Sequence, residues 1–219
     1  MGIAASVRSR GYLPHWETDN AIYLVTFRLV DSLPRKLAVQ MSKERKTIEM
    51  ASRAGTATPA DAARLEKLRA ILRKVERCLD GGLGECHLRN RRVAKVVADT
   101  LHHCDGERYR LMAWCMMPNH VHVVFSPFEG HQLEDILHAW KSYSAKAANQ
   151  LLARTGHFWQ REYFDHLVGS EASLSKIVQY VLDNPRKAGL RDWPWVFCTA
   201  GVPPASVGKE RRQDGGGTK

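Results

Sequence analysis

His120 and His122, in the segment MMPNHVHVVF, are separated by a single residue. On a strand, side chains two apart point to the same face, so the two imidazoles can share one metal ion. Val121, Val123 and Phe125 would then occupy the other face, buried against helices. Neutral imidazoles bind divalent cations well, and two of them leave coordination positions for amide, carboxylate, water or phosphate oxygens. The plainer account is a pair of surface histidines on a half-buried strand, because so short a pattern arises often by chance.

A second pattern lies in SLSKIVQYVLDNPRKAGL, where Tyr180 and Asn184 are four residues apart and hence share one face of a helix. A phenolate can attack a phosphodiester when a metal polarises the phosphoryl oxygens, and the amide oxygen at i+4 could be that metal's third ligand. Pro185 gives a competing account of Asn184: a residue before proline is pushed out of helical geometry, so Asn184 would simply end the helix. For Tyr180 the competing account is packing beside Ile177 and Val181.

Other residues invite weighing. Tyr163, in the strand-like run WQREYFDH, and Tyr143, on a helix, are the other tyrosines near the motifs, and helix geometry favours Tyr180 over both as a nucleophile. Trp159 and Gln160 follow Phe158 in an aromatic patch that could stack and hydrogen-bond an unpaired base, against a core role for the rings. Arg35, Lys36, Lys43, Arg45 and Lys46, with Arg89, Arg91 and Arg92, could follow a nucleic-acid backbone or form a solvated charged face. Cys86, His87, His102, His103 and Cys104 lack the close ligand pairs of a structural zinc site. His166 has no assigned role.

The elements that must position these residues alternate in type. Ala21 to Val30 (AIYLVTFRLV) reads as a strand between turn-forming Asp19-Asn20 and Asp31-Ser32-Leu33-Pro34. Arg35 to Lys74 holds eleven basic and four acidic side chains and reads as two charged helices broken at Gly55–Pro59. Arg91 to Cys104 is helical by its Val93, Val96, Val97, Leu101 spacing. Arg108 to Met117 and Asn119 to Ser126 read as an antiparallel strand pair, Leu133 to Ala153 as a helix, Gly156 to Val168 as holding a strand, and Leu174 to Asn184 as a helix closed by Pro185. This order implies a split βαβ unit: an α+β domain with a mainly antiparallel sheet, helices on one face and the opposite face open for a site.

The whole chain has 219 residues, a net charge of +10, 44% hydrophobic and 26% charged residues. That excludes wholesale disorder and long coiled coils and suits one globular domain. The positive excess favours a polyanionic partner, because Lys and Arg displace counterions condensed on phosphates. Five irregularly spaced cysteines without CxxC fit reduced thiols. The sequence lacks a membrane-length apolar run and an evident signal peptide, so a cytoplasmic location is expected. The Gly-, Ser- and charge-rich residues 196–219 are expected to be a disordered tail.

The ordered series GYLPHW, IYLVTFRL, LMAWCMMPNHVHVVF, HFWQREYFDHLV, IVQYVLDNPRKAGL and DWPW resembles the REP-associated tyrosine transposases, a branch of the single-tyrosine HUH endonucleases within the IS200-like transposase superfamily. The resemblance spans Gly11 to Trp195, a single domain with a charged helical insertion at about 35–80. It implies a ferredoxin-like core, His120 and His122 as the HUH pair, Tyr180 as the nucleophile and Asn184 as the third metal ligand. It further implies Mg²⁺ or Mn²⁺, a choice that rests on the family because two imidazoles alone suit Mn²⁺, Zn²⁺ or Ni²⁺ better than Mg²⁺. The implied activity is nicking and rejoining of single-stranded or hairpin repeat DNA through a 5′-phosphotyrosine, with no nucleotide cofactor, by a monomer rather than a dimer. The alternatives are a catalytically silent hairpin-binding protein, a replication initiator or relaxase of the same chemistry, and a plain metal-dependent hydrolase.

Overall fold

The computed structural model describes residues 6–9, 14–17, 21–53 and 59–200. Strands β1 (Ser6–Ser9) and β2 (Pro14–Glu17) form a small antiparallel hairpin. Strand β3 (Tyr23–Arg28) opens the main sheet and is followed by helices α1 (Arg35–Arg53) and α2 (Pro59–Asp80), a short 3₁₀ turn at His87–Arg89 and helix α3 (Arg91–His102). Then come β4 (Tyr109–Met116), β5 (His120–Pro127), α4 (Leu133–Leu151), β6 (Phe164–Leu167), α5 (Glu171–Lys187) and β7 (Val196–Cys198). The main sheet has the order β6-β3-β5-β4-β7 and every pairing is antiparallel. Its β3-α-β4-β5-α4-β6 core is the split βαβ arrangement of a ferredoxin-like α+β domain.

Alternation along the strands divides the core in two. Tyr23, Val25 and Phe27 of β3 and Val121, Val123 and Phe125 of β5 face α3 and α4, whose buried stripes include Val93, Val97 and Leu101, and Ile136, Leu137 and Trp140. Asn90 caps α3 by accepting from the Arg92 amide. Trp140 donates to the Tyr109 hydroxyl, which donates to the Leu101 carbonyl, so the buried polar groups between α3, β4 and α4 are paired.

The other face departs from the expectation that helices lie on one side only. There α5 packs Val178 and Val181 on Met112, Ala113, Cys115, Met117 and Val124. A β-bulge in β4 between Leu111 and Ala113 makes this possible: it turns Met112 and Ala113 to the same side and widens the apolar seat for α5. Two further boundaries differ. Pro185 lies inside α5, which runs on to Lys187, with the Ala188 amide donating to the Asn184 carbonyl. Residues 196–198, assigned to the tail by composition, pair as an edge strand with Ala113–Cys115, and the Met116 amide donates to the Trp195 carbonyl. Residues 201–219 lie outside the described residues.

The charged insertion folds as a helical hairpin with its own small core of Met41, Ile71, Val75 and Leu79, against which Phe164 of β6 packs. An ion pair between Lys67 and Glu44 links its helices. The loop after α2 is tied to the sheet where Gly84, at φ +87°, approaches Asp31 so closely that a Cβ would come within 2.8 Å of the Asp31 carbonyl oxygen. The Asp31 carboxylate accepts from the Glu85 amide. Among the described residues no helix is long and apolar enough to cross a membrane.

Candidate metal and nucleophile site

Antiparallel pairing brings Thr26 of β3 opposite His122 and Arg28 opposite His120, so these four side chains share the sheet face on which α5 lies. Both imidazoles are buried, at 1% and 4% exposure, and their Nε2 atoms lie 3.1 Å apart. The far nitrogens are held. His120 Nδ1 meets Asn119 Oδ1 at 2.8 Å, and His122 Nδ1 meets the Thr26 hydroxyl at 2.7 Å.

Asn119 fixes a tautomer. Its Nδ2 donates to the Leu83 carbonyl at 2.8 Å, which leaves Oδ1 as the acceptor toward His120. His120 Nδ1 therefore carries the proton and Nε2 offers its lone pair to the site. Burial, and secondarily the neighbouring His122, holds His120 well below the usual histidine range. Burial alone lowers His122 to about 4. Both rings are neutral at pH 7, the form that ligates metals.

From α5, Asn184 reaches the same point, with Nδ2 3.3 Å from His122 Nε2 and the side chain 3% exposed. A half-turn of the amide presents Oδ1 instead. Two imidazole nitrogens and one carboxamide thus converge. Nitrogens about 2.0–2.1 Å from one cation, at nearly right angles, would stand about as far apart as these do. The donor set fits a divalent ion with positions left over for water or phosphate oxygens. Among the described residues no group of three or more His, Cys, Asp and Glu side chains forms a metal cluster, so the Cys86, His87, His102, His103, Cys104 grouping is not one.

Tyr180 sits one turn before Asn184, its ring 5.6 Å from that of His122. Its hydroxyl donates to Glu76 Oε1 of α2 at 2.6 Å. Burial, then the hydrogen bond to Glu76 and its charge, and the charge of Asp80 push the phenol upward, while Asn184 acts in the opposite direction. Lys187 lies 5.4 Å from the ring centroid. A cleft of about 370 Å³ opens over these groups, lined by Glu76, His120, His122, Asp165, His166 and Tyr180 among others. His166 thereby finds a place on the cleft wall.

Thr26, Asn119 and Glu76 escaped the sequence reading. Asn119 is adjacent to the histidine motif and could have been singled out as an orienting partner. Thr26 is identifiable only from the strand register, and Glu76 is one acidic residue among many on a charged helix.

Several expected residues stand elsewhere. Trp159 is corrected from base-stacking candidate to core residue: it is 5% exposed, packs edge-on against Phe27 and donates its indole N–H to the buried Ser144 hydroxyl. Trp159→Phe is therefore expected to lower stability by about 1–2 kcal/mol, as urea melts would show. Gln160, half-buried, lines a separate cavity of about 640 Å³ on the α4 side. Arg35, Lys36, Lys43, Arg89, Arg91 and Arg92 are all exposed. The side chains of Arg45 and Lys46 lie outside the described residues.

Residues 87–184 match the model of the IS200-like transposase family. A putative REP-associated tyrosine transposase from Haemophilus influenzae strain Rd is 24% identical over 106 residues, a match that takes in 42% of the present chain and 60% of that relative. Among solved structures, a REP-associated tyrosine transposase bound to a REP hairpin aligns with a TM-score of 0.48 and 14% identity, over 87% of this chain and 81% of the other. A putative transposase from Deinococcus radiodurans R1 aligns with a TM-score of 0.31 and 13% identity, over 81% and 96%. The segment similar to the IS200-like transposase family, residues 87–184, carries both histidines, Tyr180 and Asn184, and the chain spans 60% of the length of the curated relative it matches.

Proposed function

We propose that this protein is a metal-dependent single-stranded DNA endonuclease and strand transferase of the REP-associated branch, acting in the cytoplasm as a monomer on repeat hairpins through a 5′-phosphotyrosine. The observation that carries the reading is the convergence of His120, His122 and Asn184 beside a half-buried tyrosine on one sheet face. These three residues would hold Mg²⁺ or Mn²⁺, which when bound supplies the positive charge that polarises the scissile phosphate. Asn119 and Thr26 keep the imidazoles oriented, and Tyr180 attacks phosphorus in line, expelling a free 3′-OH. The phosphotyrosine conserves the phosphodiester bond energy, so the 3′-OH can reverse the step or another end can be joined without a nucleotide cofactor.

The exposed arginines and lysines of α1, the 3₁₀ turn and α3 supply cationic surface for the DNA backbone. The test is a denaturing gel of the full chain with end-labelled repeat hairpin DNA, with and without Mn²⁺ or Mg²⁺. A metal-dependent covalent protein–DNA adduct is expected. Tight hairpin binding with no adduct in either metal would instead establish a silent hairpin-binding protein. Because Asn119 sets the His120 tautomer, Asn119→Ala is expected to weaken Mn²⁺ binding by about 10–100-fold, read by calorimetry on protein without DNA.

A further inference from the structure

The charged insertion touches the reacting atom. Glu76 lies 104 residues before Tyr180 in sequence, on the α2 face turned to the cleft, and its Oε1 accepts the phenolic proton at 2.6 Å. It is the only carboxylate among the described residues given a hydrogen bond to that hydroxyl. Its helix is anchored by Val75 and Leu79 in the insertion core, against which Phe164 of β6 packs. A phenol needs to lose its proton as it attacks phosphorus, and a carboxylate already hydrogen-bonded to it is within proton-transfer distance.

We propose that Glu76 is a catalytic residue that orients the Tyr180 hydroxyl and accepts its proton during strand cleavage, making the α1–α2 hairpin part of the catalytic apparatus. The inference rests on the cleavage reading above. In the step, the Oη–phosphorus bond forms as the phosphorus–O3′ bond breaks; the proton passes from Oη to Glu76 Oε1, and the departing O3′ takes a proton from water. In the rejoining direction Glu76 returns the proton to the departing phenolate oxygen.

The experiment compares single-turnover adduct formation by wild type, Glu76→Gln and Glu76→Ala on one labelled hairpin at saturating DNA and Mn²⁺. Hairpin affinity is measured without metal, and the Tyr180 ring carbon bearing oxygen is followed by ¹³C-tyrosine NMR of the metal-free protein. Gln keeps a hydrogen-bond acceptor but refuses the proton. The expected result is that Gln and Ala both form adduct about 100-fold or more slowly, with hairpin affinity unchanged, while only Ala moves the Tyr180 resonance. Wild-type speed in Gln with slow Ala would reduce Glu76 to a positioning residue and overturn the proton transfer. Wild-type speed in both would overturn the assignment altogether while leaving the cleavage reading intact. No adduct from wild type would overturn the cleavage reading and this inference with it.

Discussion

Tyr180→Phe is expected to abolish the covalent adduct, a fall of at least about 10⁴-fold in cleavage, while hairpin affinity stays within about threefold. The substitution removes one oxygen and preserves the ring that packs near His122 and below Lys187. Glu76 loses its donor, but Tyr180 is only half-buried, so water can replace the lost bond and the fold should persist. Adduct yield on a denaturing gel and affinity by anisotropy separate the two effects. Retention of strand scission in the mutant, with no adduct in either protein, would replace transesterification by plain metal-dependent hydrolysis.

The competing tyrosines line other cavities than the one over the histidines. Tyr143 is 66% exposed on α4 and lines a groove between α3 and α4, across the sheet from the histidines. Tyr163 lines the other α4-side cavity and its hydroxyl is buried. An adduct surviving Tyr180→Phe would require one of these to travel through or around the sheet. The fold thus adds a geometric argument to the preference drawn from helix spacing, and Tyr180→Phe tests it.

How far the site was legible follows from where its information resides. His120 and His122 were visible because strand periodicity is local, and the same alternation correctly sends Val121, Val123 and Phe125 to α3 and α4. Tyr180 and Asn184 were visible because i,i+4 spacing is local too. That α5 would cross to the opposite sheet face was not, since the seat depends on a β4 bulge that no residue pattern announces. Nor could spacing reveal Glu76, whose role depends on a helical hairpin folding back over the cleft. Trp159 failed in the opposite way: an aromatic patch reads alike for base stacking and for packing, and the Ser144 partner decides it. Pro185 was read as a stop because a residue before proline is pushed out of helical geometry. It is buried within α5, where the helix loses one hydrogen bond and continues to Lys187.

The buried histidines also make the metal-free protein acid-sensitive. Unfolding releases two imidazoles with an ordinary value near 6.5, whereas in the fold His122 lies at about 4 and His120 well below its ordinary value. Below pH 6.5 the unfolded chain therefore binds more protons than the folded one, so stability is present above that pH and lost as pH falls toward the folded values. From pH 7 to pH 5 the expected loss is about 2 kcal/mol for each histidine. Asp80 works with the opposite sign: burial first, then the charge of Glu76, raises its carboxyl, so the fold gains protons there as pH falls. Its window lies nearer the carboxylate range and offsets little above pH 5. Urea melts in EDTA at pH 7, 6 and 5 should show the loss, and His122→Gln should remove about half of it. A wild-type stability flat across this range would show that the imidazoles are not held neutral. Protons and metal compete for the same Nε2 lone pairs, so saturating Mn²⁺ should raise the melting midpoint more at pH 7 than at pH 5. That difference ties acid sensitivity to the cation site rather than to the carboxylates elsewhere on the surface.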